Sequence, residues 1–293
     1  MQKLEKIRNQ SYIYYFILPS ILFIIVFWIT PNIINFFYSF TDWNTYTTVI
    51  NFVGIQNFID LSKDVMFKNI LITLKYAFTV TIVENTIALI LAFAIERSSN
   101  FNSVVRTIFF IPVLIAPIAV GYTFQGILDP NGLLNQILSI ISQSNIDIAW
   151  LGSVKFTLYI VALVHCWKWF GVPLIVYIAA LNTIPNDLVE AAKIEGANFW
   201  QIIKNIKIPL IGPAFTFNLA LTLIGALYEF DLIFSLTNGG PGGGTEVLSF
   251  YVLRQFYNGH FGYGTAIDLI LFLVIVILAI PLIIFLRKRE IVL

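Results

Sequence analysis

Six apolar stretches, each long enough to cross a lipid bilayer, constrain what this sequence can fold into. A spanning helix needs roughly 20 mainly apolar residues. The first stretch runs from Tyr12 to Ile29 and can continue past Pro31 towards Phe40. The second covers Ile70 to Ile95, and the third Val104 to Ile127, with Pro112 and Pro117 inside it. The fourth covers Val154 to Leu181 around Pro173, the fifth Ile208 to Leu236, and the last Ala266 to Leu286. Composition agrees, because only 11% of residues are charged where soluble domains carry about 25%. The expected fold is all-α and integral to the membrane: six transmembrane helices in a single domain over residues 1–293. The first stretch follows a basic start, as a secretory signal does. Its core is long and aromatic where small residues would mark cleavage, so it is expected to be retained.

Lys and Arg in short loops stay preferentially in the cytoplasm. Lys3, Lys6 and Arg8, then Arg97 and Arg106, then Lys193, Lys204 and Lys207, then Arg287, Lys288 and Arg289 all fall on one side of six alternating helices. The opposite loops hold fewer: Lys63, Lys68 and Arg254. Both termini are therefore expected to be cytoplasmic. A net charge of +1 offers no basic surface for nucleic acid. Cys166 is the sole cysteine, which excludes an internal disulfide and a multi-cysteine metal site. Its neighbour His165 diverges from it on a helix, so no metal site is expected there. No nucleophile–base constellation is evident, and no catalytic residue is assigned. The phosphate-cradling G-x-x-x-x-G-K-[ST] pattern is missing, and Gly239–Gly244 lacks the lysine.

The polar loop 182–207 is unlike a random connector. Pro185 suits a helix start, where its missing amide is no loss. Asp187 and Glu190 favour the positive end of that helix. Gly196 then interrupts the pattern, and glycine permits a sharp turn. Phe199, Ile202, Ile203 and Ile206 recur at helical spacing and predict a second helix with one apolar stripe. Two short helices around a glycine fit a docking element for a partner. They fit equally an amphipathic segment lying on the membrane surface.

Glu190-Ala191-Ala192-Lys193-Ile194-Glu195-Gly196-Ala197, followed by Ile208-Pro209 and Pro213, resembles the EAA motif of ATP-binding-cassette importer permeases. Glu195 stands where Asp is commoner and Ile203 where Phe is common; both keep the character of the position. Further elements narrow the resemblance to the carbohydrate-uptake, maltose/glycerol-3-phosphate-type branch. Leu236-Thr237-Asn238-Gly239-Gly240-Pro241 is similar to its L-T-x-G-G-P element, and Phe52-Val53-Gly54-Ile55-Gln56-Asn57-Phe58 to an external-loop element. Ser39-Phe40-Thr41 and Gly262-Tyr263-Gly264 also match. The resemblance implies a bacterial inner-membrane (plasma-membrane) permease with a six-helix core. It implies that Glu190, Ala191, Ala192, Glu195, Gly196 and Ala197 couple to an ATPase. It also implies partners: a second homologous permease, two ATPase subunits that use ATP and Mg, an extracytoplasmic solute-binding protein, and a carbohydrate substrate. No cofactor is then bound by this chain itself.

Charges inside a span cost roughly 2.5–3.5 kcal/mol at the helix centre, so they usually face the bundle interior. Glu84, Lys168, Glu229, Asp231 and Asp268 are such residues. Glu84 is expected to pair or pack, and Asp268 to reach the interface. His165 and Trp169 share one helix face. Asn218, Thr222, Gly225 and Glu229 follow helical spacing on one stripe. These six are the candidate solute-pathway residues, since aromatic faces and hydrogen-bonding groups hold sugars. The competing reading is an interfacial Trp and a Thr/Gly packing stripe. A rival function is an ion-gradient-driven secondary transporter with Glu84 or Asp268 as the proton site. Such proteins often show internal repeats, and none is clear here.

Overall fold

The structure, a computed structural model, describes residues 16–63, 65–96 and 99–290. Lys3, Lys6, Arg8, Arg97 and the start of the first stretch lie outside the described residues. The described helices are α1 Phe16–Tyr38, α2 Gln56–Lys63, α3 Met66–Ile95, α4 Asn100–Leu114, α5 Pro117–Ile127, α6 Leu133–Ser142, α7 Thr157–Trp169 and α8 Gly171–Asn182. They continue with α9 Asn186–Ile194, α10 Phe199–Leu210, α11 Gly212–Leu227, α12 Asp231–Thr237, α13 Leu248–Tyr257 and α14 Phe261–Arg287. Three helices (α1, α3 and α14) are long and apolar enough to cross a membrane, and three bent pairs bring the total to six. The chain divides into two compact units, Met1–Asp64 with Val252–Ile270 and Val65–Tyr251 with Leu271–Leu293.

In the first unit, α1 continues through Pro31 to Tyr38. Proline cannot donate to the helical ladder. A π-turn over Ile25–Ile29 takes up the misfit, and the Thr30 amide and hydroxyl both donate to the Ile25 carbonyl. Beyond α1, three sequence elements converge on one side chain. Asn57 Nδ2 donates to the carbonyls of Ser39 and Thr41, both at 2.9 Å, and more weakly to that of Gly262 at 3.4 Å. The Asn51 side-chain amide, at 2.9 Å, and its backbone N–H, at 2.7 Å, donate to Asp42 and hold this carboxyl below its ordinary range. Asp268 accepts a 2.6 Å hydrogen bond from Asn35. It therefore has a partner on the first span, where the sequence predicts only reach to the interface.

In the second unit, α3 packs against α7, α8 and α11, while α4 lies on α8 and α12 on α5. The third, fourth and fifth apolar stretches of the sequence are each broken into two helices. α4 and α5 meet at 96°, α7 and α8 at 48°, and α10 and α11 at 69°. The first break has a clear cause. Ala116 precedes Pro117 and is extended, with ψ 133, because proline crowds a helical predecessor. Lys168 reaches this break: its Nζ donates to the Ile115 carbonyl at 2.7 Å, to that of Val113 at 3.3 Å, and at 3.3 Å to that of Pro112, which also accepts the Ile115 N–H. Half a helix in lipid is stable only when such groups find partners.

The predicted fifth span, Ile208–Leu236, also ends early. α11 stops at Leu227, and Glu229 lies off its stripe. The Glu229 carboxylate accepts the Leu232 N–H at 3.0 Å and so opens the new helix α12, satisfying a donor that every helix start leaves free. α12 closes at Asn238 and Gly239, which carry φ of 49° and 79°. The Thr245 hydroxyl donates to the Gly240 carbonyl at 2.7 Å and lies 2.7 Å from the Thr237 hydroxyl, so the L-T-x-G-G-P element is a helix stop braced by two threonines.

Candidate functional site

A cavity of about 250 Å³ opens within the second unit. It is lined by Glu84 on α3, His165 and Trp169 on α7, Val172 and Pro173 on α8, Leu221, Thr222 and Gly225 on α11, and Glu229 at the break that follows. Five of the six candidate solute-pathway residues thus share one cavity. The sixth, Asn218, is fully buried and donates to the Pro173 carbonyl at 3.1 Å. Thr222 accepts from Asn85 at 2.8 Å, and Asn85 in turn accepts from the Tyr177 hydroxyl at 2.7 Å. These bonds tie α3, α8 and α11 together behind the cavity, and Asn218 belongs to that support.

The polar face of the cavity is built around His165. Its Nδ1 lies 2.9 Å from the Glu229 carboxylate and 3.0 Å from the Tyr76 hydroxyl. Its Nε2 lies 3.8 Å from the carboxylate of Glu84. Glu84 therefore stands beside His165 beyond hydrogen-bonding distance, and it also lines the cavity. Trp169 presents its indole to the cavity, with the Lys168 ammonium 4.1 Å from the ring centroid. An aromatic plane, apolar walls and convergent acceptors can hold a polyhydroxylated ring: C–H faces on the indole, hydroxyls on the carboxylates. Tyr76 and Glu84 both sit on α3. Sequence reasoning singles out neither as a cavity group, although a carboxylate in mid-span is a usable signal for Glu84.

The loop 182–207 folds as two helices around a tight turn. α9 ends at Ile194, and Gly196 carries φ 87°. The Gly196 and Ala197 amides close back onto the carbonyls of Lys193 and Ala192 at 3.0 and 2.9 Å. Asn198 and Gln201 then exchange side-chain and backbone bonds in a capping box that starts α10. That Asn-x-x-Gln spacing is a sequence signal for the helix start which the apolar periodicity alone does not use. Glu190, Ala191, Glu195 and Gly196 are exposed, and Ala192 and Ala197 are half-buried. Ile194, Trp200 and Phe199 are 88%, 74% and 61% exposed. Along the predicted apolar stripe, Ile202 and Ile203 are buried and Phe199 is exposed. A π-turn over Ile203–Lys207 shifts the phase of the helix. Lys207 in that turn pairs with Glu96 at the end of α3.

Broken apolar helices around a largely apolar cavity with a cluster of ionisable groups, and a structured polar loop between two of them, are the architecture of a helical membrane permease. The model of the family "Binding-protein-dependent transport system inner membrane component" matches residues 84–288. The chain belongs to this family and is an inner-membrane permease component of an ATP-binding-cassette importer. It is 33% identical over 296 residues to a probable starch degradation products transport system permease protein of Thermoanaerobacterium thermosulfurigenes, covering 99% of each chain. It is 31% identical over 272 residues to a trehalose/maltose transport system permease protein of Thermococcus litoralis, covering 92% of each. Among solved structures, a bacterial ABC transporter involved in the import of the acidic polysaccharide alginate shares the fold. Its TM-score is 0.83 at 24% identity, over 98% of this chain and 99% of that one.

Proposed function

We propose that this chain forms one half of the solute pathway of an ATP-driven saccharide importer, as a single permease domain with residues 182–207 as its coupling loop. A second, related permease completes the pathway. Two ATPase subunits dock on the cytoplasmic side, where both termini lie, one of them at the turn Glu190–Ala197 of this chain, and they bind the ATP and Mg. A solute-loaded binding protein delivers from the other face. The saccharide assignment draws on relatives named for starch degradation products and for trehalose and maltose, and on an aromatic, carboxylate-bearing cavity.

One observation carries the coupling: the exposed turn is mechanically continuous with the cavity wall. α10 leads through a single bend into α11, which bears Thr222 and Gly225, and the Lys207–Glu96 pair ties the same segment to α3, which bears Glu84. When the ATPases close on ATP, a shift of the turn displaces both walls, and access switches from outside to inside.

Glu229→Ala tests the pathway reading. It removes the carboxylate facing His165 and the cap on α12. A charge-assisted hydrogen bond contributes about 1.5–3 kcal/mol, so saccharide uptake should fall about tenfold or more, while the chain's membrane level and ATPase co-purification stay at wild type. Wild-type uptake across neutral saccharides would take Glu229 out of the solute path.

A further inference from the structure

Glu84 sits on α3, is 2% exposed and lines the cavity. Among the described residues, no donor reaches its Oε2 within hydrogen-bonding distance. The nearest cationic candidate, His165 Nε2, stands 3.8 Å away, too far for a hydrogen bond. His165 directs its other nitrogen to Glu229 and Tyr76. A buried acceptor left without a donor is costly, and this one belongs to a side chain that lines the cavity. Its natural partner is a hydroxyl of whatever fills the cavity.

The charge of the lining limits what that occupant is. Two carboxylates, Glu84 and Glu229, share the cavity with one imidazole, and among its described lining residues none is lysine or arginine. Lys168 lies nearby, but its ammonium is spent on the carbonyls of Pro112, Val113 and Ile115. An anionic solute would meet two carboxylates, while the nearest ammonium, Lys168, is turned to those carbonyls and is not among the lining residues. A volume near 250 Å³ is just under the roughly 300–1,000 Å³ of small-molecule sites, which suits one ring at a time.

We propose that Glu84 contacts the solute directly, accepting a hydrogen bond from a ring hydroxyl, and that the cavity selects neutral saccharides over those bearing carboxylate, sulfate or phosphate. This inference rests on the saccharide-permease reading. It adds a contact from α3 to those expected from α7 and α11.

The test uses cells expressing the complete transporter, with this chain as wild type, E84Q or E84A at matched membrane levels. The probes are neutral gluco-oligosaccharides of increasing length, the same compounds oxidised to uronates, and every monodeoxy derivative of the one taken up best. If Glu84 accepts from a hydroxyl, removing that hydroxyl slows wild-type uptake about tenfold but leaves E84A uptake unchanged, with E84Q in between. The binding protein is the same in all cells, so its own preference cancels in the ratio of ratios, and a purely structural role for Glu84 would not move that ratio. The uronates should be imported poorly by wild type and relatively better by E84Q. Equal deoxy penalties in wild type and both variants would overturn the contact, and a wild-type preference for uronates would overturn the selectivity, each leaving the permease reading intact. Failure of wild-type cells to import any of the saccharides would overturn the reading itself, and the inference with it.

Discussion

Replacing Gly196 with aspartate is expected to release the ATPase subunits while leaving the chain in the membrane. Gly196 adopts φ 87°, a region where a Cβ costs about 1–2 kcal/mol. A Cβ built there meets no atom within 4 Å, so the turn itself has room for a side chain. The new carboxylate would project from an exposed turn, into the surface on which the proposed ATPase docks. Burying an unpaired charge at an interface costs several kcal/mol, and each 1.4 kcal/mol is about a tenfold loss of affinity. ATPase recovered with the affinity-purified chain should drop at least about tenfold for Gly196→Asp. Gly196→Ala carries only the backbone cost and should fall between. Unchanged recovery for the aspartate variant would contradict docking at this turn.

Replacing Lys168 with methionine should destabilise the permease itself. Lys168 is fully buried, and its ammonium satisfies three carbonyls at the α4–α5 break. Methionine fills similar space but donates nothing. The Pro112 carbonyl keeps the Ile115 N–H, but those of Val113 and Ile115 lose the ammonium; each buried carbonyl left unpaired costs about 1–3 kcal/mol, and no water reaches the hydrocarbon interior to replace the lysine. A net loss of about 3 kcal/mol should lower the apparent Tm in detergent by about 5–10 °C. Fluorescence-detected size exclusion after a heating series reads this directly. Lys168→Arg retains donors and should lose less. A Tm equal to wild type for the methionine variant would show that the break is held in another way.

The positions of the spans are legible in the sequence because lipid demands long apolar runs, and each of the six runs contains helix. The turn at Gly196 is legible because a glycine between two helical patterns marks where the backbone can take the left-handed conformation that ends one helix and starts the next. The breaks are not legible, since hydropathy is indifferent to direction: the run through Pro112 and Pro117 reads the same whether straight or bent by 96°. Glu229 illustrates the consequence. Its spacing from Thr222 and Gly225 fits one stripe of an unbroken helix, yet it reaches the same cavity from the non-helical residues that follow α11. Lys168 reads as a costly intramembrane charge, and its use becomes visible only with the carbonyls of a distant segment beside it. The meeting of Ser39, Thr41 and Gly262 at Asn57 is equally hidden, because their separation along the chain carries no record of proximity.

The most direct measurement of the central claim is ATP hydrolysis in proteoliposomes holding this chain with its co-purified partners, with and without a saccharide-loaded binding protein. An ATPase is expected to co-purify, and hydrolysis should rise several-fold with one loaded saccharide and not with the unloaded binding protein. Absence of any co-purified ATPase, with uptake following an imposed proton or sodium gradient instead, would contradict an ATP-driven importer.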